Sequence, residues 1–94
     1  MFVIDLEYIK NFEEIDALRP KHRELLQKYY DLGILLASGP KNPRTGGVII
    51  ALGAREIIEK MIQEDPFYIN QCAEYKITEF EAVKHCEALK DLLK

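Results

Sequence analysis

Two polar side chains stand where the pattern around them asks for apolar ones. With about 100° of turn per residue, His22 shares a helical stripe with Leu18, Leu25 and Tyr29. Asp65 follows Met61 by four residues and Ile62 by three, so it continues the apolar stripe of a second helix. An imidazole and a carboxylate on inward faces of two helices that cover one sheet face can offset each other's desolvation. The carboxylate would fix the imidazole's tautomer and raise its basicity, as the orienting acid does for a general base. Such help is worth roughly 10²–10⁴ in rate. Each residue also has a plainer role open to it. His22 could be a core histidine bonded to a backbone carbonyl, and Asp65 a turn former capping local amides in Asp65-Pro66.

A second group of residues lies between two strands. Ser38-Gly39-Pro40 ends an apolar run, where a loop on a rigid base can carry function. Gly39 permits close backbone approach and Ser38 offers a hydroxyl. Arg44, Thr45 and the pair Gly46-Gly47 follow across the loop and could hold a small anion. The alternative is an ordinary hairpin connection. The aromatics Tyr29, Tyr30, Phe67, Tyr68 and Tyr75 fit core and pocket wall better than a stacking platform. No metal or cofactor is expected, because His85 and Cys86 are adjacent and diverge on a helix, leaving His22 as the inward-looking histidine.

The elements that would position these residues follow from periodicity. Phe2, Ile4, Leu6 and Tyr8 alternate with Val3, Asp5 and Glu7, which predicts a half-buried strand. Asn11 caps a helical stretch with Glu14 in the capping-box position, and Pro20 interrupts it. The expectation is a short turn over 12–18 and a firm helix from Pro20 to about Leu32, stopped by Gly33. Ile34–Ala37 and Val48–Leu52 are predicted strands, apolar at every position. Ala54 to about Gln63 is a predicted helix, ended by Asp65-Pro66. After a loop through Ala73, Tyr75 and Ile77 mark a fourth strand. Ala82, Val83, Cys86, Leu89, Leu92 and Leu93 predict an amphipathic tail helix over about 82–94.

This order is β-α-β-β-α-β plus a tail, the split βαβ pattern of an α+β ferredoxin-like fold. Its expected form is a four-stranded antiparallel sheet with two helices on one face. One domain of 94 residues is expected, with its core over about 1–83. The second and third strands are apolar on both faces, which two helices on one face do not explain. A second copy of the chain over the other face is the simplest cover, so a homodimer is expected.

The same residues carry a family resemblance. Arg19-Pro20-Lys21-His22-Arg23, then Gly33 to Pro40 as GILLASGP, then Gly46-Gly47-Val48 and Asp65-Pro66-Phe67 resemble the YCII-related family, from the first strand to about Val83. The resemblance implies a ferredoxin-like fold that forms dimers of the α/β-barrel kind. It implies that His22 and Asp65 are the active-site pair and that Ser38 lines the same pocket. One relative of that family is a dehydrochlorinase of a chlorinated hydroxyquinol, so the resemblance also implies lyase or isomerase chemistry. The loop between Pro40 and Gly46 is short for the family, and the tail after about Lys84 is additional.

Composition narrows the partners. With 13 basic and 16 acidic residues the net charge is −3, and no basic stripe suited to nucleic acid is visible. No stretch approaches the roughly 20 apolar residues of a membrane span. The N-terminal MFVIDLEYIK carries Asp5 and Glu7 where a signal peptide needs an apolar run. Two cysteines, Cys72 and Cys86, form neither a disulfide framework nor a redox motif, so a cytoplasmic protein is expected. Three functions remain: an enzyme acting on a small cyclic or enolisable metabolite, a module that binds such a metabolite unchanged, and a structural dimer.

Overall fold

The computed structural model describes residues 1–93. Strand β1 (Phe2–Tyr8) leads into helix α1 (Phe12–Asp31), then strands β2 (Leu35–Pro40) and β3 (Gly46–Ala51) form a hairpin. Helix α2 (Arg55–Glu64) and the one-turn helix α3 (Pro66–Ile69) precede strand β4 (Ala73–Glu79). The strands lie in the order β2-β3-β1-β4, every neighbouring pair antiparallel. Two βαβ units thus interleave in one sheet, a ferredoxin-like α+β arrangement.

Register decides which side chains face the helices. Phe2, Ile4 and Leu6 of β1 stand opposite Ala51, Ile49 and Gly47 of β3, on one side of the sheet. Phe2, Ile4, Leu6, Ile49 and Ala51 are buried, together with Ile15, Leu26 and Tyr29 of α1 and Ile58, Met61 and Ile62 of α2. The core therefore lies between the helices and this one sheet face. On the other face the register places Val3 beside Ile50 and Asp5 beside Val48 and Lys76.

Three expectations need correcting. Pro20 does not split the first helix, which runs unbroken for 20 residues from its Asn11 cap, whose side chain accepts from the Glu14 amide. The packed positions Ile15, Leu18, His22, Leu26 and Tyr29 form one continuous stripe across the proline. Pro20 itself is exposed, so the hydrogen bond it forfeits falls on the side where water can replace it. Second, Ser38-Gly39-Pro40 is not a corner. It is the continuation of β2, paired with Ile49, Val48 and Gly47, and the turn comes after it. Third, the tail helix expected over 82–94 is a single 3-10 turn at Glu87–Leu89, position 94 lying outside the described residues. Val83 is 80% exposed and Leu92 52%, and none of the stripe is fully buried, so it does not pack as one continuous face on the domain. An isolated helix this short is marginal in water.

Candidate active site

The two helices bring together the residues separated by 43 positions. The His22 Nδ1–H reaches both carboxylate oxygens of Asp65, at 2.9 Å to Oδ1 and 2.8 Å to Oδ2. Asp65 sits between helices, ending α2 and capping α3: its Oδ1 also accepts the Phe67 amide at 2.9 Å, with Pro66 as the first residue of α3. The capping role and the pairing with histidine are thus both fulfilled, by different lone pairs of one carboxylate. Asp65 is 1% exposed, while the His22 side chain keeps 13% of its surface open. An ionised carboxylate only accepts, so Nδ1 carries a proton, and in the neutral ring that leaves the lone pair on Nε2. The Phe67 ring stacks on the imidazole, 4.1 Å between centroids and 14° between planes. Hydrogen bond and stacking together fix the ring's tilt and its rotation.

Tyr75 is an additional neighbour of this pair. Its hydroxyl is sealed from solvent and has no partner at hydrogen-bonding geometry among the described residues. Burial first, and then the field of the Asp65 carboxylate, hold the phenol far above its ordinary pKa. A neutral Tyr75 therefore adds a dipole behind Asp65 without adding charge.

In front of the imidazole lies a cavity of about 210 Å³. Its inner wall is apolar, from Leu6, Leu26, Ile49 and Phe67. Ser38, Gly39 and Pro40 line it from β2, and Gly47 and Val48 from β3. The Ser38 hydroxyl shares a 2.6 Å hydrogen bond with the Tyr30 hydroxyl, so its position is set by α1. Arg44 closes one side. Its guanidinium is paired with Asp16 and lies 4.8 Å from the centre of the Phe12 ring. That hydrogen bond from Arg44, with the nearby charge of Arg19, keeps the Asp16 carboxyl below its usual range.

Of the residues singled out from sequence, His22, Ser38, Gly39, Pro40, Arg44 and Phe67 line the cavity, and Asp65 stands directly behind His22. Gly46 does not line it. A Cβ there would sit 1.8 Å from the Leu6 carbonyl oxygen, so this glycine lets β3 approach β1, and Gly47 is the lining residue. Sequence reasoning passed over Arg19 and Arg23. Both line the cavity from α1, and their i, i+4 spacing brackets His22 on one side of that helix. That spacing was the available signal.

The family model for the YCII-related domain matches residues 1–81. No curated protein sequence matches the chain. Among solved structures, the 5-chloro-2-hydroxyhydroquinone dehydrochlorinase of Burkholderia phenoliruptrix, in complex with 2,5-dihydroxybenzoquinone, superposes with a TM-score of 0.71. It is 13% identical, and the match covers 94% of this chain and 98% of that one. At that identity the likeness is one of fold. No helix among the described residues is long and apolar enough to cross a membrane.

Proposed function

The chain belongs to the YCII-related domain family, and on that premise we propose that it is a small-molecule enzyme of lyase or isomerase type. His22 Nε2 is the general base and Asp65 its orienting partner. Ser38 and the β2 backbone at Gly39 and Pro40 are binding contacts. One observation carries this reading: a carboxylate 1% exposed is hydrogen-bonded through Nδ1 to an imidazole that lines a cavity. The fold neighbour's activity on a chlorinated hydroxyquinol supports a small ring as the substrate class.

The step is a proton transfer. Nε2 takes a proton from an acidic O–H or C–H of the bound ring, and the electron pair left behind moves into the ring system. It then expels an anionic group from a neighbouring carbon, completing an elimination, or recaptures the proton at another atom, completing an isomerisation. Asp65 stays ionised and stabilises the imidazolium that forms. A thermal-shift screen of small ring metabolites, each hit followed by mass spectrometry, tests the reading. Conversion by the wild type that is lost in His22→Asn supports it. Hits that return unchanged favour a binding module instead, a second reading to which Asp65 lends weight because its cap on α3 is a structural task in itself.

We further propose that two copies pair across the open sheet face. Val3, Val48 and Ile50 are half-buried there within a single chain, and a two-fold contact would cover them in both copies at once. Sedimentation equilibrium at micromolar concentration should give twice 10.9 kDa. A monomer at that concentration contradicts it. Two free cysteines, Cys86 exposed and Cys72 buried, fit a reducing, cytoplasmic setting.

A further inference from the structure

The charged residues around the cavity are of one sign. Arg19, Arg23 and Arg44 line it, and no carboxylate among the described residues does, in a chain whose acidic residues outnumber its basic ones by 16 to 13. The arginines are not equivalent. Arg44 is paired with Asp16, and Arg19 shares the same carboxylate at 3.6 Å. Arg23 has no ion-pair partner among the described residues, and it follows His22 directly in the chain. One negative charge thus serves two of the three guanidiniums, and the third is left to the cavity. Unpaired positive charge gathered at the opening of an otherwise apolar cleft raises the local concentration of anions and orients them on entry.

Size and wall chemistry narrow the ligand further. At about 30 Å³ per water, 210 Å³ is the volume of roughly seven waters, room for one six-membered ring with a small substituent. Leu6, Leu26, Ile49 and Phe67 suit the flat apolar body of such a ring. We propose that the cavity selects a single-ring compound that is anionic at neutral pH, a ring carboxylate or an acidic ring enol, and that Arg23 is the residue that selects it. The proposal rests on the reading that this cavity is the functional site, and it names the substrate class. The anionic group lies at the mouth beside Arg19 and Arg23. The ring extends inward, which brings its edge to His22 Nε2.

Isothermal titration with two near-isosteric probes tests this. Benzoate carries the charge and benzamide lacks it. The wild type is expected to bind benzoate about tenfold or more tightly than benzamide at low salt, as one charge-assisted contact gives. Raising the ionic strength should erode the benzoate affinity alone. Arg23→Gln should weaken benzoate about tenfold and leave benzamide unchanged, while Arg23→Lys should recover part of the loss. Because Arg23 is exposed on α1, both variants should keep the wild-type melting temperature. Equal affinity for the two probes, binding of neither, or a preference that survives Arg23→Gln overturns the proposal. These are binding equilibria, so they do not depend on His22 acting as a base. A benzoate preference in a protein whose turnover is indifferent to His22→Asn leaves an anion site without chemistry. Loss of turnover in His22→Asn with no benzoate preference leaves an enzyme of neutral substrates.

Discussion

Replacing His22 with Ala should strand a buried charge, and a second substitution should then repair it. Asp65 is 1% exposed and holds two partners, the His22 Nδ1–H and the Phe67 amide. Alanine at position 22 removes the only one that can carry a compensating charge. Breaking a buried pair from one side costs about 3–5 kcal/mol. Because His22 keeps 13% of its side-chain surface open, water from the cavity can enter the space left, so the low end, about 3 kcal/mol, applies. That is a large share of a total of about 5–15 kcal/mol. At roughly 4–8 °C per kcal/mol for a domain of this size, the melting temperature should fall by about 12–24 °C. Asp65→Asn alone keeps an acceptor for the Phe67 amide but loses the charge-assisted bond to His22, a cost of about 1.5 kcal/mol. In the His22→Ala background the same Asn removes the stranded charge and should restore about 1–2 kcal/mol. The effect of one substitution therefore changes sign with the state of position 22. Urea unfolding of the four proteins, with an unchanged slope on denaturant, reads this out. If Asp65→Asn destabilises both backgrounds by the same amount, the carboxylate is not answered by His22 and the reasoning fails.

Alkaline stability should depend on Tyr29. Burial, and then its 2.6 Å hydrogen bond to Glu64, push this phenol up to about 12 from an ordinary value of 10. The unfolded chain gives up the proton first, so the contribution is intact below pH 10 and is lost as the pH rises towards 12. Urea midpoints across that range should fall less steeply in Tyr29→Phe, and an unchanged slope contradicts the assignment. Gly46→Ala should be among the most damaging single changes, about 4 kcal/mol or more, because its Cβ would meet the Leu6 backbone at 1.8 Å and force β1 from β3. Gly53→Ala, at φ +98° but with open space around it, should cost only about 1–2 kcal/mol of backbone strain, and circular-dichroism melts of the two variants check the contrast.

Local pattern was enough to place the four strands and two main helices. Phe2, Ile4 and Leu6 alternate over a length that only a strand satisfies, and Ile58, Met61 and Ile62 repeat as only a helix does. It failed where two local rules compete. Pro20 signals a helix start, yet the stripe running from Ile15 to Tyr29 is worth more than one lost backbone bond on the solvent side. The tail shows the converse, with helical periodicity but nothing for Val83 and Leu92 to pack on within the chain. His22 and Asp65 stood out because each is polar on an apolar stripe. That they meet at 2.8 Å depends on how α1 and α2 lie across the sheet, which spacing along the chain does not encode. Tyr75 has ordinary sequence surroundings, and the i, i+4 spacing of Arg19 and Arg23 does not tell which of the two is paired. Only the fold brings a buried phenol behind Asp65 and, to the cavity wall, a guanidinium with no ion-pair partner among the described residues.

Whether His22 takes a proton from a bound ring can be read without knowing the product. A set of enolisable single-ring acids, 2,5-dihydroxybenzoquinone among them, is incubated in D₂O with the wild type and with His22→Asn, and deuterium uptake into the ring is followed by mass spectrometry. At least one compound should exchange in the wild type faster than in His22→Asn by roughly 10²-fold or more, the worth of a positioned general base. Equal exchange in the two proteins for every compound that binds would contradict the claim that this pair is a catalyst.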